Sequence, residues 1–126
     1  MTSAHRPTIL LLEDQPFIAL DVEDTIANAC AGEAVIIDSC ARAEAWLDEN
    51  TPDVAVVDVF LHDGACTAIV EVLVEREVPF VVHSVAMDSR FREHDVFLQG
   101  HWVPKPAAPG HLANAIIMCL ATAATP

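Results

Sequence analysis

The sequence predicts a single α/β domain built on a parallel sheet, and three observations carry that prediction. Five short apolar runs, rich in β-branched residues, alternate with five stretches of helical character. The clearest runs are apolar throughout instead of alternating with polar residues, as in strands covered on both faces. At 126 residues the chain is long enough to bury one real core and short for two, and it shows no internal repeat or linker.

In chain order, residues 1–7 read as a flexible tail. Thr8-Ile9-Leu10-Leu11-Leu12 reads as the first strand, running into Glu13-Asp14. Pro16 suits the first turn of a helix in which Ile18, Val22, Ile26 and Ala29 form an apolar stripe, with Asp21, Glu23 and Asp24 on the wet side. Ala34-Val35-Ile36-Ile37 makes a second strand. The helix from Ala41 to Asn50 is expected to turn Ala45, Trp46 and Ala43 inward, and Asn50-Thr51-Pro52-Asp53 breaks it. Val54-Ala55-Val56-Val57 is a buried strand that ends at Asp58 and is followed by a turn at Asp63-Gly64.

A helix from about Cys66 to Arg76 follows, with Ile69, Val70, Leu73 and Val74 inward. Pro79-Phe80-Val81-Val82-His83 is the fourth strand, ending at Ser84. Residues 85–99 are polar and loosely periodic, which fits a short helix or partly a loop. Gly100-His101-Trp102-Val103-Pro104 is a short fifth strand leading to Lys105-Pro106. Pro109 opens a last helix with Leu112, Ile116, Ile117 and Leu120 on one face, and residues 122–126 are expected to fray after a domain spanning 8–121. Alternation of this kind implies right-handed crossovers. The economical architecture is a three-layer flavodoxin-like (βα)5 fold, with a five-stranded parallel sheet in the order 2-1-3-4-5.

Composition narrows the function. Six Lys and Arg against 19 Asp and Glu give a formal charge of −13, which argues against binding nucleic acid or an anionic membrane through bulk electrostatics. Cys30, Cys40, Cys66 and Cys119 are scattered, without any C-x-x-C pair, and read as reduced thiols of a cytoplasmic protein. Residues 1–6 lack the apolar core of a signal peptide. The apolar stretch from Leu112 to Ala124 is interrupted by Asn114 and too short to span a bilayer.

With strands one, three, four and five as neighbours, their C-terminal rim gathers Glu13, Asp14, Asp58, Ser84 and Lys105. Clustered carboxylates repel one another unless a hard cation is present, and oxygen ligands of this kind suit Mg2+. Such a site would stabilise a phosphoryl group arriving on the Asp58 carboxylate, while a hydroxyl and an ammonium bind the phosphoryl oxygens. Lys105 is the only lysine in the chain and so the only candidate of its type.

These residues resemble the receiver domains of two-component response regulators. The resemblance runs from Thr8 to about Leu120 and rests on Leu-Leu-Leu-Glu-Asp (10–14), Val-Asp-Val-Phe-Leu-His-Asp-Gly (57–64), Ser84 and Lys105-Pro106. It implies that Asp58 is the phosphoacceptor and that Glu13 and Asp14 bind Mg2+ with Asp58 and the backbone carbonyl of Phe60. It further implies that Ser84 is the switch hydroxyl, that Lys105 binds phosphate, and that the Lys105–Pro106 bond is cis. Trp102 stands where receivers often carry a switching Tyr or Phe. The opening helix and Leu-x-Asp-Gly turn are similar to a subset of α-proteobacterial single-domain receivers. In that subset the fourth strand reads Pro-Phe-x-Phe-x-Thr-Gly-Tyr; here Pro79-Phe80 is kept and His83-Ser84-Val85-Ala86 departs. His62 and Val85 are further departures from the family pattern, and a bulky Val85 beside the site is expected to slow phosphoryl transfer or hydrolysis.

Each residue has a plainer reading. Asp58 alone would be a turn or capping residue, Glu13-Asp14 a charged helix start, Ser84 an ordinary strand end and Lys105 a solvated surface lysine. Their ordered recurrence at strand ends outweighs those readings. His83 and Ser84, adjacent on a strand, point to opposite faces and are poorly placed to form a hydrolase dyad. Trp102 packing on the last helix is preferred to a gating role, and Trp46 is packing only.

The expected protein is therefore a stand-alone receiver, with no output domain after it in a chain numbered from Met1. It would take a phosphoryl group from a histidine kinase or histidine phosphotransferase and switch a surface for a downstream protein. It would not be an enzyme beyond slow self-catalysed phosphorylation and dephosphorylation. The alternative is a degenerate receiver that binds a partner without phosphorylation. A haloacid-dehalogenase-type phosphatase is disfavoured because Phe60 replaces the general-acid aspartate two residues past the nucleophile.

Overall fold

Odd- and even-numbered residues of the central strands enter two different cores, and this arranges the molecule in three layers. The computed structural model describes residues 6–29, 32–85 and 95–124. Its elements are β1 (Thr8–Leu12), α1 (Pro16–Asn28), β2 (Glu33–Ile37), α2 (Cys40–Glu49), β3 (Val54–Val57), a two-stranded hairpin β4 (Phe60–Leu61) and β5 (Gly64–Ala65), α3 (Thr67–Glu75), β6 (Phe80–Val82), a 3-10 turn (Asp95–Gln99), β7 (His101–Trp102) and α4 (Pro109–Ala124). The main sheet has five parallel strands in the order β2-β1-β3-β6-β7. With the small hairpin set aside, this is the expected 2-1-3-4-5 order.

Ile9, Leu11, Val54, Val56 and Val81 meet Ala19, Val22 and Ile26 of α1 and Leu112, Ala115, Ile116 and Cys119 of α4. Leu10, Leu12, Ala55, Val57 and Val82 meet Ala43 and Leu47 of α2, Ile69, Val70 and Leu73 of α3, and Phe97. Side chains alternate across a strand, so a run that is apolar at every position supplies both faces. No helix among the described residues is long and apolar enough to cross a membrane.

Several helix faces differ from the sequence reading. In α2 the second buried residue is Leu47, while Ala45 is exposed and Trp46 half-buried. In α4 the buried set is Leu112, Ala115, Ile116 and Cys119, and Ile117 is 45% exposed. In α4 small residues explain the difference: Ala115 and Cys119 fit the close helix–sheet contact, and the larger Ile117 is left at its margin. α4 runs from Pro109 to Ala124. Of the 85–99 stretch, residues 86–94 lie outside the described residues, and Asp95–Gln99 forms one 3-10 turn.

Candidate phosphoacceptor site

The site lies on the C-terminal rim of β1, β3 and β6 and the segment after β7. β3 ends at Val57, and Asp58 follows it with only 7% of its surface exposed. Backbone bonds extend past the strand ends: His83 N–H donates to the Val57 carbonyl at 2.8 Å and Val103 N–H to the Val82 carbonyl at 2.8 Å. Lys105 N–H donates to the Ser84 carbonyl at 2.8 Å. This continued ladder sets Ser84 and Lys105 beside Asp58.

Each oxygen of the Asp58 carboxylate has its own donor. Ser84 Oγ donates to Oδ1 at 2.5 Å, and Lys105 Nζ donates to Oδ2 at 2.7 Å. The ammonium also pairs with Glu13 Oε1 at 2.6 Å, and all three side chains are at least nine-tenths buried at their ends of these pairs. Glu13 is held in turn by the backbone: its N–H donates to the Ile37 carbonyl at 3.1 Å, and its Oε2 accepts from Gln15 N–H at 3.2 Å. Burial would drive the Lys105 pKa down. The hydrogen bonds and negative charges of Asp58 and Glu13 outweigh that and hold it above its ordinary value. The peptide bond to Pro106 is cis.

The remaining residues lie at strand ends or in the hairpin. Asp14 is half-buried at the end of β1, Phe60 is half-buried in the hairpin directly after Asp58, and Trp102 is half-buried in β7, packed against the α2–α3 core, not the last helix. The donor chemistry of Glu13, Asp14, Asp58 and the Phe60 carbonyl is all oxygen, which fits a hard divalent cation. Among the described residues no three acidic, Cys or His side chains gather closely enough to hold a metal, and the Lys105 ammonium bridges Glu13 and Asp58.

Val85 is 66% exposed, and it borders a groove of about 370 Å³ between α1 and α4, with Ile18, Asp21, Leu112 and His83. His83 is 6% exposed, with Nδ1 2.9 Å from the Val103 carbonyl. It lies on the opposite face from Ser84, as strand alternation requires.

The turn residue Asp63 also caps α2 with its carboxylate. Oδ1 accepts from Cys40 N–H at 2.8 Å and Oδ2 from Ala41 N–H at 3.1 Å. A carboxylate facing a helix N-terminus is a local rule in sequence. Ser39 supplies the local cap, its Oγ accepting from Arg42 N–H at 3.2 Å; the Asp63 carboxylate adds a second from a distant turn, which no local signal announces.

No family model and no curated protein matches the chain. Solved structures do. The signal receiver domain of a histidine kinase from Syntrophus aciditrophicus superposes at a TM-score of 0.82 with 18% identity, covering 95% of this chain and 94% of that one. The receiver domain of the response regulator PhyR from Erythrobacter litoralis gives 0.80 at 21% identity, over 96% and 95%. SdrG from Sphingomonas melonis Fr1 gives 0.72 at 31% identity, over 94% and 99%. The chain belongs to the response regulator receiver domains. As in those receivers, a five-stranded parallel sheet is flanked by helices. In this receiver the sheet rim brings together four of the residues picked out in the sequence, namely Glu13, Asp58, Ser84 and Lys105, in direct contact.

Proposed function

We propose that this receiver accepts a phosphoryl group on Asp58 from a histidine kinase or histidine phosphotransferase, and that the modification switches a surface for a downstream protein. The observation that carries the reading is the division of labour at Asp58: a hydroxyl on one carboxylate oxygen and an ammonium on the other. Both donors suit the oxygens of an incoming phosphoryl group, and both are already in place when it arrives.

In the transfer an Asp58 oxygen attacks phosphorus, the P–N bond of a phosphohistidine breaks, and the imidazole leaves with the bonding pair. Mg2+, held by Glu13, Asp14, Asp58 and the Phe60 carbonyl, would supply charge neutralisation for the phosphoryl oxygens. Lys105 and Ser84 exchange their contacts with the carboxylate for contacts with the phosphoryl oxygens. Ser84 is linked to β7 through the Lys105–Ser84 backbone bond and the Val82–Trp102 pairing, which connects its movement to Trp102. The output is a protein contact, and the expected location is the cytoplasm.

A second reading, a receiver that binds its partner without phosphorylation, draws on the Lys105 bridge across the acidic pocket. Incubation with a small phosphodonor and Mg2+, followed by intact mass, separates the two. Wild type should gain one phosphoryl group and Asp58→Asn none. An adduct that persists in Asp58→Asn, or no adduct with small donors and with a cognate kinase alike, would sink the first reading.

A further inference from the structure

Two of the four cysteines, 26 residues apart in sequence, meet directly: Cys40 Sγ and Cys66 Sγ are 3.5 Å apart. Cys40 is the first residue of α2 and half-buried, whereas Cys66 precedes α3 and is fully buried. Between them in sequence lie Asp58 and the hairpin β4–β5. The phosphoacceptor chemistry uses neither thiol.

We propose that Cys40 and Cys66 are an oxidisable pair, in which a peroxide converts the two thiols into a disulfide that fastens the hairpin after Asp58 to the start of α2. The proposal goes beyond phosphoryl transfer and stands whether or not Asp58 is phosphorylated.

Three features favour closure at this place. Sulfurs in van der Waals contact must approach by only about 1.5 Å to reach bonding distance. Cys40 has room to make that approach, because it sits in the first turn of a helix with solvent on one side. Cys66 is fixed: its N–H donates to the Val59 carbonyl at 2.8 Å and its carbonyl accepts from Val70 N–H at 3.0 Å. The surroundings also hold the pair together before any bond forms. Asp63 binds both Cys40 and Ala41 N–H, and the Cys40 thiol lies 3.6 Å from the carbonyls of Gly64 and Ala65.

The chemistry balances with one hydroperoxide. The Cys40 sulfur attacks a peroxide oxygen, the O–O bond breaks, and water leaves, giving a sulfenic acid. The Cys66 sulfur then attacks the Cys40 sulfur, the S–O bond breaks, and a second water carries away the Cys66 proton. Two thiols and one peroxide become one disulfide and two waters; the sulfurs lose two electrons and the peroxide gains them. Burial holds both thiols above their ordinary pKa, so little thiolate is present near neutrality and the reaction accelerates as pH rises. Cys119, buried in the α1–α4 core on the other face of the sheet, serves as an internal control.

The test treats the full chain with hydrogen peroxide, blocks remaining thiols by alkylation under denaturing conditions, and maps the peptides. Wild type should lose two hydrogens, leave Cys40 and Cys66 unalkylated and yield their linked peptide, while Cys119 stays alkylated. A reducing thiol should restore both, and the oxidised protein should show a higher urea midpoint than the reduced one. Cys40→Ser, a change at the half-buried position, should abolish the linked peptide while its circular dichroism matches wild type. Cys66→Ser should leave Cys40 trappable by dimedone. Absence of the Cys40–Cys66 peptide in oxidised wild type, or its survival in Cys40→Ser, overturns the proposal, as does a linkage that instead joins Cys30, Cys119 or two chains.

Discussion

Ser84 donates its hydroxyl to Oδ1 of Asp58 at 2.5 Å, across the seam where β3 and β6 end side by side. The bond is buried and charge-assisted, so the hydroxyl is committed to the carboxylate until something better competes for it. A phosphoryl oxygen on Asp58 is such a competitor. Movement of Ser84 would be felt at Lys105, whose backbone it holds, and through the Val82–Trp102 pairing at the half-buried indole.

Replacing Ser84 by Ala should therefore have two separable effects. Removal of a buried donor to a carboxylate costs about 1–3 kcal/mol, read as a lower urea midpoint. In a Trp46→Phe background, phosphodonor and Mg2+ should change Trp102 fluorescence in the parent but not in Ser84→Ala, even though both take up phosphate. An equal fluorescence change in both would remove Ser84 from the switch.

Lys105 lies between two carboxylates that are otherwise close and buried. Lys105→Met keeps the length of the side chain and removes the charge, leaving Glu13 and Asp58 facing each other. The expected loss is about 3–5 kcal/mol at neutral pH. It should be largely recovered by adding Mg2+, which takes the place of the ammonium between the acids, and little affected by added NaCl. The measurement is urea denaturation with and without the divalent cation; a variant indifferent to Mg2+ would show that the acidic pocket does not bind it.

The ends of the first, third and fourth strands were legible in the sequence because each is an apolar run that stops at polar residues. That pattern located Glu13, Asp58 and Ser84 by strand period alone, and the resemblance supplied their roles. Helix faces were less legible: in α4 small residues make the contact, so Cys119 packs where the sequence favours Ile117, and in α2 the alanine-rich stretch gives no sharp stripe to single out Leu47 over Ala45. What the sequence hid altogether were contacts made by the fold. The Cys40–Cys66 contact and the Asp63 cap join segments more than 20 residues apart, and no periodicity reaches that far.

Stability should fall on the alkaline side in two stages. Burial raises Cys40, Cys66 and Cys119 above their ordinary value of 9.0. Folded thiols hold protons that unfolded ones release, so stability is full below that value and declines as pH rises past it. Lys105 is also raised, from 10.5, by the hydrogen bonds and charges of Asp58 and Glu13 outweighing its burial; its contribution is complete below 10.5 and is lost as pH rises through its folded pKa. Urea midpoints measured from neutral pH upward should bend near the thiol value and steepen further on. Cys119→Ala should soften only the first stage and Lys105→Met only the second.

Asp63 gives the complementary effect in acid. Its carboxylate is fully exposed, and backbone N–H bonds from Cys40 and then Ala41 hold its pKa below 3.8. The stabilisation it gives is present above that ordinary value and disappears as pH falls through the lower, folded one. Asp63→Ala should lower the urea midpoint at neutral pH by removing the two bonds that Asp63 adds to the Ser39 cap of α2, and Asp63→Asn should lower it less, because an amide oxygen still accepts one of the two bonds. Both variants should match wild type once the pH is low enough to protonate the native carboxyl. The hairpin is tied to α2 through this same carboxylate, so amide hydrogen exchange at Leu61, Gly64 and Ala65 should quicken in Asp63→Ala at neutral pH. Unchanged exchange in the hairpin would mean that Asp63 stabilises the helix alone and does not anchor the segment that follows Asp58.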